Sequence, residues 1–250
     1  MDADMMNVLI ITPTYNERDN IETLLTRIHE VAPDAHVLVV DDNSPDGTGD
    51  YVKERDSNED WIHLIQREAK LGLGTAYCTG FKWALENSYE AIIQMDADLS
   101  HNPDIIPILR RRLEDSDLVI GSRYIKGVNV VNWPLSRLIL SWCANIYAKI
   151  ITGVPVWDLT GGFKCWRREV LANLDISSIR SEGYSFQIET TYRAFHLGYR
   201  INEVPIVFVD RTEGASKMSR KIIYEAVWMV PRLRLSRMKK RLQGFLHRTN

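Results

Sequence analysis

The sequence predicts an α/β fold in which a mostly parallel, Rossmann-like sheet is flanked by helices. Short aliphatic runs alternate with segments of helical spacing through the first half of the 250-residue chain. The run at residues 36–40 is apolar on both faces, which is typical of a parallel strand covered by helices on both sides. Polar clusters follow successive runs, as expected where strands of a βαβ arrangement end at a common edge.

The strands of this sheet are predicted from buried-type aliphatic runs bounded by polar or turn-forming residues. Each run is only four or five residues long, too short for a typical helix and well suited to a strand. In chain order these predicted strands span residues 8–12, 36–40, 62–65, 91–95 and 118–121.

The intervening segments show helical signals. Ile21, Leu24, Leu25 and Ile28 recur at the spacing of one helical face. Pro103 stands in the first turn of a later helix, where its missing N–H has no intrahelical partner to lose. The predicted helices of the first half span residues 19–31, 46–55, 74–86 and 103–113.

The second half is less regular. It predicts an amphipathic helix at 136–151, a Gly-Gly turn at 161–162, a helix at 184–196, a strand at 201–209 and a basic C-terminal helix. We expect one domain at residues 1–218 and a basic, amphipathic helical extension at 219–250, with no transmembrane segment.

The net charge of −2 conceals a marked asymmetry along the chain. Residues 211–250 contain 11 Lys and Arg against 2 Asp and Glu, which leaves 20 against 31 in the remainder. A basic end on an acidic body favours an anionic partner such as phosphates, acidic lipid headgroups or nucleic acid. Three widely separated cysteines and the lack of a signal peptide favour a reducing, cytoplasmic compartment without structural disulfides.

Two carboxylates follow the strand predicted at 91–95. Alternate residues of an extended segment face the same way, so Asp96 and Asp98 can share one hard cation such as Mg²⁺ or Mn²⁺. A metal here would bind diphosphate oxygens and stabilise a leaving nucleoside diphosphate. The alternative is a solvated loop, or a cap for the helix at Pro103.

Other strand ends offer further polar groups. Asp42 follows the second strand and can bind ribose hydroxyls or a base edge, although an Asx-turn explains Asp41 and Asp42 equally well. Lys70 precedes a glycine-containing helix start that suits phosphate contact, with a flexible loop as the alternative. The candidate phosphate ligands are Arg123, Arg137, Arg211 and Lys217. For each of them the alternative is a cation on the surface without a ligand.

The chain resembles the family 2 glycosyltransferases of GT-A fold, and among them the dolichyl-phosphate mannosyltransferases, or polyprenol monophosphomannose synthases. The segments that carry the resemblance run from Val8 to Lys217. They are PTYNERDNI, VVDDNSPDGTGD, KLGLGTAY, MDADLSHNP, GSRY, DLTGGFKCWRREVL, EVPIVFVDR and GASK. The first of these mark the superfamily, and DADLSH, GSRY, DLTGGFK and GASK mark the polyprenyl-phosphate branch.

The resemblance implies transfer of mannose from GDP-mannose to a dolichyl or polyprenyl phosphate with inversion. It implies a donor pocket lined by Pro13, Tyr15, Glu17, Val40, Asp42, Lys70, Asp96, Ala97, Asp98, Arg211 and Lys217. The metal would be held by Asp96 and Asp98, and the acceptor phosphate by Arg123 and Arg137. The catalytic groups would be Asp98 and Arg123. Some relatives have Gln where this chain has Ser100, so the resemblance does not carry a third metal ligand over to this position.

The implied setting is peripheral association with the cytosolic face of a membrane, through amphipathic helices, the basic tail or accessory membrane subunits. Two other functions fit the sequence less well. A UDP-sugar donor would make the product a polyprenyl-phosphate glucose or a similar lipid. A noncatalytic or nucleic-acid-binding module is disfavoured, because no stacking aromatic residues are interleaved along a charged groove.

Overall fold

A seven-stranded sheet forms the centre of the part of the chain that the structure describes. The structure is a computed structural model, and it describes residues 6–209 and 228–235. The strand order is β3-β2-β1-β4-β7-β5-β8. The strands are β1 (Val8–Thr14), β2 (His36–Asp41), β3 (Ile62–Gln66), β4 (Ala91–Gln94), β5 (Leu118–Ser122), β7 (Lys164–Arg167) and β8 (Ile201–Pro205), and a separate pair consists of β6 (Val130–Val131) and β9 (Phe208–Val209).

The sheet is parallel except at β7, which confirms the predicted Rossmann-like arrangement. β7 runs antiparallel between β4 and β5. This strand was not predicted from the sequence, because Lys164 and Arg167 break the aliphatic pattern within four residues. Insertion of β7 separates β4 from β5 and widens the edge at which the strands end.

Helices cover both faces of the sheet. They are α1 (Arg18–Val31), α2 (Thr48–Asp56), α3 (Leu73–Glu86), α4 (Ile106–Arg112, preceded by a 3-10 turn at Pro103–Ile105), α5 (Leu135–Thr152), α6 (Arg168–Asn173), α7 (Gly183–His196) and α8 (228–235). Of these, α1 to α5 and α7 match the predicted segments within about three residues at each end, whereas α6 was not predicted. The second helix was predicted to begin at Asp46. It begins at Thr48 because the Asp46 side chain accepts hydrogen bonds from the Thr48 N–H and hydroxyl instead.

Alternation along β1 divides the apolar core between the two faces. Leu9 and Ile11 pack on one side with α3, whereas Val8 and Ile10 pack on the other with α1. The approach of α3 requires a glycine, because a Cβ at Gly80 would lie 2.6 Å from the Ile11 Cγ2 atom. Close packing of this helix brings its first turn to the carboxyl ends of β1 and β2.

The strand predicted at 201–209 is two strands in different sheets, which corrects the sequence prediction. β8 pairs with β5 and ends at Pro205, and the Ile206 N–H then donates to the carbonyl of Ser122. The chain next changes partner, so that Phe208 pairs with Val130 in β6.

Helix α5 is unusual in what it buries. Its buried residues are Asn145, Ala148 and Thr152, two of them polar. Five of its large apolar residues are exposed, namely Leu135, Ile139, Leu140, Trp142 and Ile150. No helix in the described ranges is long and apolar enough to cross a bilayer.

Helix α8 lies within the predicted C-terminal extension and packs on the rest of the molecule. Val230 is fully buried in the core, and Arg234 donates to the carbonyl of Ile151 at the end of α5. Arg232 and Arg234 are exposed, and the other tail cations and the predicted boundary at 218/219 lie outside the described residues.

Candidate active site

A cavity of about 750 Å³ opens at the carboxyl ends of the parallel strands. This is where ligands bind in open α/β sheets. Its walls come from the turns after β1, β2, β4 and β5, from the loop before β7, and from the first turns of α3, α5 and α7. The polar clusters that the sequence placed after separate strands therefore share one space.

Asp96 and Asp98 both line this cavity and are both half-buried. Ala97, between them, is almost completely buried. Asp98 is oriented by Ser100, whose hydroxyl and N–H donate to Asp98 Oδ1 at 2.5 and 3.1 Å. Two carboxylates that face one cavity are the arrangement expected of a shared cation site.

Tyr77 and His101 hold the Asp96 position. The Tyr77 hydroxyl donates to Asp96 Oδ1 at 2.8 Å, and the Asp96 N–H donates to Nδ1 of His101 at 3.1 Å. Burial, together with the charge of Asp96, raises the pKa of Tyr77 well above its usual value, so the phenol remains a proton donor. His101 stacks on Phe163, and its ring fixes the turn from beneath.

Asp42 reaches the cavity while Asp41 does not. Asp41 is fully buried and accepts hydrogen bonds from Thr14 and Ser44, as in the turn-forming alternative. Asp42 forms an ion pair with Arg67 and accepts the Leu71 N–H at 3.1 Å. The Asp42 carboxylate thus orders the loop between β3 and α3.

That loop leads into the first turn of α3, which Glu182 caps. Glu182 accepts the Gly74 N–H at 2.8 Å, although the two residues are 108 positions apart. Gly72 precedes the helix at φ +104°, a left-handed conformation that favours glycine. The Lys70 ammonium lies 3.8 Å from the centre of the Tyr15 ring, so both predicted donor contacts meet at one wall.

Arg123 forms a buried ion pair at the opposite wall. Its Nε and Nη2 donate to the two carboxylate oxygens of Asp158 at 2.7 and 2.6 Å, and Nη2 also donates to Thr160 at 2.7 Å. Burial alone would lower the pKa of Arg123, but the charge of Asp158 raises it above the ordinary value. Arg123 is therefore permanently charged, and the Asp158 carboxylate compensates most of that charge.

Arg137 lines the same wall from the first turns of α5, and its guanidinium lies 4.2 Å from the Trp133 ring centre. α5 is joined to the site by Asn145. The Asn145 amide donates to Thr160 Oγ1 at 3.0 Å and accepts the Thr160 N–H at 3.1 Å. The helix with exposed apolar residues thus contacts the residue that also binds Arg123.

The structure brings most of the predicted site residues together. Those that line the cavity are Pro13, Tyr15, Glu17, Asp42, Lys70, Asp96, Ala97, Asp98, Arg123 and Arg137. Val40 does not line it, because its side chain is fully buried in the apolar core beneath Asp42. Arg211 and Lys217 lie outside the described residues.

Sequence reasoning missed several residues that build the site, namely Arg67, Tyr77, Asp158, Thr160, Glu182 and Gln187. Tyr77, Asp158 and Thr160 stand inside strings that carried the family resemblance, so that pattern was an available signal. Arg67 and Glu182 had no local signal, because Asp42 and Gly74, which they bind, are distant in sequence, and Gln187 lies in a helix without any local sign of a site.

Comparisons with known proteins give a consistent family. The family model described as "Glycosyl transferase family 2" matches residues 9–175. The undecaprenyl-phosphate mannosyltransferase of Micrococcus luteus is 46% identical over 227 residues, covering 91% of this chain and 93% of the relative. The polyprenol monophosphomannose synthase of Mycolicibacterium smegmatis is 46% identical over 224 residues, covering 89% of this chain and 84% of the relative.

Solved structures share the fold at lower identity. A mannosyltransferase from Pyrobaculum calidifontis, in complex with GDP-Man and Mn²⁺, has a TM-score of 0.59 at 22% identity. The match covers 86% of this chain and 60% of that longer chain. Glucosyl-3-phosphoglycerate synthase from Mycobacterium tuberculosis, in complex with Mn²⁺, UDP and phosphoglyceric acid, has a TM-score of 0.65 at 20% identity, over 90% of this chain and 79% of that one. The predicted GT-A fold is confirmed, and the chain belongs to glycosyl transferase family 2.

Proposed function

We propose that this protein transfers a mannosyl group from GDP-mannose to a polyprenyl phosphate, with inversion at the anomeric carbon. The observation that carries the proposal is that one cavity is lined by two carboxylates, Asp96 and Asp98, and by two arginines, Arg123 and Arg137. Such an arrangement suits a donor whose diphosphate leaves and an acceptor that is itself a phosphate. The names of the two relatives at 46% identity support the same substrates.

The donor side can accept a divalent cation. Asp96 and Asp98 supply hard oxygen ligands, as Mg²⁺ and Mn²⁺ prefer. No group of three or more His, Cys, Asp and Glu side chains in the described residues is arranged to hold a metal. Diphosphate oxygens and water are therefore the expected remaining ligands. The cation would neutralise charge that develops on the leaving diphosphate.

The nucleoside and phosphates would lie between the turns after β1 and β2 and the entrance of α3. Pro13, Tyr15, Glu17 and Asp42 are expected on the nucleoside side, and Lys70 beside the phosphates. The N–H groups and dipole of a helix N-terminus favour anions, although Glu182 already caps α3. Arg211 and Lys217 complete the proposed donor set.

The acceptor phosphate would approach the opposite wall. Arg137 contributes to this wall from the first turn of α5, and Arg123 is more deeply buried. The hydrogen bonds of Arg123 to Asp158 and Thr160 use Nε and Nη2, which leaves Nη1 for the acceptor phosphate as far as the described residues show. Two arginines can orient the phosphate and offset its repulsion from the donor diphosphate.

The chemistry requires positioning more than proton transfer. A phosphate monoester is already anionic near neutral pH, so an acceptor oxygen attacks the anomeric carbon without a strong general base. The new carbon–oxygen bond forms as the bond to the diphosphate breaks, and its electron pair leaves with GDP. Attack opposite the leaving group converts an α-linked donor into a β-linked mannosyl phosphate.

The exposed apolar side of α5 supports peripheral association with the cytosolic face of a membrane. Trp142 and Ile150 on α5, and Trp228 on α8, are large apolar side chains in solvent. Apolar and aromatic residues of this kind insert at the headgroup level, and neighbouring cations add attraction to anionic lipids. Such association would bring the arginine wall, formed by Arg123 and Arg137, beside the headgroup of the lipid acceptor.

A donor panel tests the proposal. The purified chain is incubated with radiolabelled GDP-mannose, UDP-glucose or UDP-galactose and a short polyprenyl phosphate in detergent, with Mg²⁺ or Mn²⁺. We expect labelled lipid from GDP-mannose. Label from UDP-glucose alone would replace mannose with glucose in the assignment, and no transfer from any donor, with or without membrane extract to supply accessory subunits, would reject the enzymatic proposal.

A further inference from the structure

One polar side chain in the cavity is buried without the partners that it needs. Gln187 lies on α7, lines the cavity and is only 2% exposed. Its Oε1 atom finds no hydrogen-bond partner among the described residues. Buried side-chain oxygens are almost always paired, so an unpaired one on a cavity wall indicates that a ligand completes it.

The backbone of Gln187 is held in place by hydrogen bonds to its carbonyl. The Gln187 carbonyl accepts a hydrogen bond from Lys164 Nζ at 2.8 Å and another from Thr191 Oγ1 at 2.9 Å. Lys164 is fully buried on β7, directly beside Gln94 of β4. The central sheet therefore holds the first turns of α7, from which the Gln187 side chain lines the cavity.

The carboxamide lies beside the carboxylates proposed for the metal. The point at which Gly162 would carry a Cβ is 3.4 Å from Gln187 Nε2 and 3.6 Å from Asp96 Oδ2. Gly162 itself lines the cavity, so the space above it is bordered by both groups. A group bonded directly to the donor diphosphate would occupy this space.

The chemistry of the carboxamide selects among possible ligands. Oε1 accepts hydrogen bonds, and Nε2 donates them. Diphosphate oxygens only accept, so they cannot satisfy Oε1. A sugar hydroxyl both donates and accepts, and adjacent hydroxyls can bind both ends of the carboxamide.

We propose that Gln187 binds a hydroxyl group of the donor's sugar and so contributes to sugar specificity. This rests on the proposed function, since it takes the donor to be a nucleoside diphosphate sugar. The buried amide then discriminates against donors that lack the hydroxyl, because such donors leave Oε1 unpaired.

The test measures the dissociation constants of GDP and GDP-mannose by calorimetry for Gln187→Met, which keeps the length of the side chain and removes its amide. We expect GDP-mannose to bind about 10-fold more weakly while GDP binds as before, because the loss of one buried hydrogen bond falls on the sugar alone. Gln66→Met, at the exposed end of β3, is the matched control and should change neither constant.

Monodeoxy donors identify the hydroxyl. A donor that lacks the hydroxyl bound by Gln187 should bind more weakly to the unmodified protein than GDP-mannose does. The same donor should bind to Gln187→Met no more weakly than GDP-mannose does, which is the signature of a coupled pair. Equal losses for GDP and GDP-mannose, or a loss of Mn²⁺ affinity, would overturn the proposal in favour of nucleotide or metal contact. Strictly additive losses for every monodeoxy donor would also overturn it.

Misfolding of the variant and use of a donor other than GDP-mannose can both be told apart from the absence of a role for Gln187. Thermal unfolding reports whether Gln187→Met folds. If it does not fold, the dissociation constants are measured for Gln187→Asn, which withdraws the amide by one methylene. Failure of the unmodified protein to use GDP-mannose rejects the proposed function. Normal use of GDP-mannose by both proteins, with equal affinity, rejects the role of Gln187 alone.

Discussion

Arg123 and Asp158 form a two-bond ion pair that is closed off from solvent at the arginine wall of the cavity. The Arg123 N–H also donates to Asp158 Oδ2 at 2.9 Å, so backbone and side chain of one residue bind the same carboxylate. Glu203 holds the Asp158 loop in turn, by accepting the N–H groups of Trp157 and Asp158. The end of β5 and the loop before β7 are thereby joined at the proposed acceptor site.

Removing one partner of this pair should be strongly destabilising. Asp158→Ala leaves the Arg123 charge buried without its partner, and we expect a loss of about 3–5 kcal/mol in the free energy of unfolding. Urea denaturation followed by circular dichroism measures it. Glu59→Ala breaks the more exposed Arg55–Glu59 pair and should change stability by less than about 1 kcal/mol. Equal effects of the two substitutions would contradict a structural role for the buried pair.

The same pair predicts a dependence of stability on pH. Burial favours the neutral form of Asp158, but the charge and hydrogen bonds of Arg123 outweigh it and lower the pKa below the ordinary 3.8. A pKa lowered on folding stabilises the fold fully above the unfolded-state value and progressively less as the pH falls toward the folded-state value. The difference in unfolding free energy between the unmodified protein and Asp158→Asn should therefore shrink below pH 3.8. A difference that stays constant from pH 6 to pH 3 would show that Asp158 does not titrate as described.

The parallel strands were predictable because each is a continuous aliphatic run between polar turns. β7 was not, since Lys164 is a buried amine whose hydrogen-bond partner is the Gln187 carbonyl, 23 residues further along the chain. A local pattern reads such a lysine as a surface residue. Similarly, the strand predicted at 201–209 had a continuous pattern, and its division between two sheets follows from tertiary pairing.

The candidate site divides in the same way. Asp96, Asp98 and Asp42 were predictable because topology alone brings the ends of β4 and β2 to one edge. The partner of Arg123 is 35 residues away and that of Gly74 is 108, so neither contact leaves a periodic or local signal. Arg123 was predicted as a phosphate ligand, and only the structure reveals that Asp158 already compensates most of its charge.

Loss of a metal carboxylate should remove both transfer and its metal dependence. For Asp98→Ala we expect at least about a 100-fold fall in kcat, because charge on the leaving diphosphate is no longer neutralised. Titration of Mn²⁺ against the transfer rate measures this. Asp104→Ala, on the exposed turn before α4, should leave the titration unchanged. A normal Mn²⁺ response in Asp98→Ala would show that the metal site is elsewhere.

Tyr77 is expected to act as a positioning residue for Asp96. Tyr77→Phe keeps the buried ring but removes the hydroxyl that donates to Asp96. Loss of a partner that orients a metal ligand typically weakens metal binding about 10–100-fold. We therefore expect a higher Mn²⁺ requirement with a smaller change in the maximal rate, and rescue at high Mn²⁺.

Tyr89→Phe is the matched control for Tyr77→Phe. The Tyr89 hydroxyl contacts His36 at the opposite end of β2, away from the cavity. Its removal should leave the Mn²⁺ requirement unaltered. A fall in maximal rate in Tyr77→Phe that added Mn²⁺ does not restore would argue that the phenol serves another step.

The exposed apolar residues of α5 lead to a prediction about membranes. Ile139 is 54% exposed on α5, and Ile108 is 50% exposed on α4, so the two offer matched positions on different surfaces. If α5 inserts at the headgroup level, Ile139→Asp places a charge in the interface and should weaken binding to anionic vesicles about 10-fold or more. Ile108→Asp should bind as the unmodified protein does, as measured by vesicle co-sedimentation.

Activity with two acceptors separates membrane binding from catalysis. Ile139 does not line the cavity. Ile139→Asp should therefore keep its transfer rate with a short, water-soluble polyprenyl phosphate and lose it with a long acceptor in vesicles. Because Asn145 of the same helix binds Thr160 beside Arg123, loss of both rates would indicate that α5 was displaced from the site. Retention of both rates together with normal vesicle binding would show that the exposed face of α5 is not the membrane-binding surface.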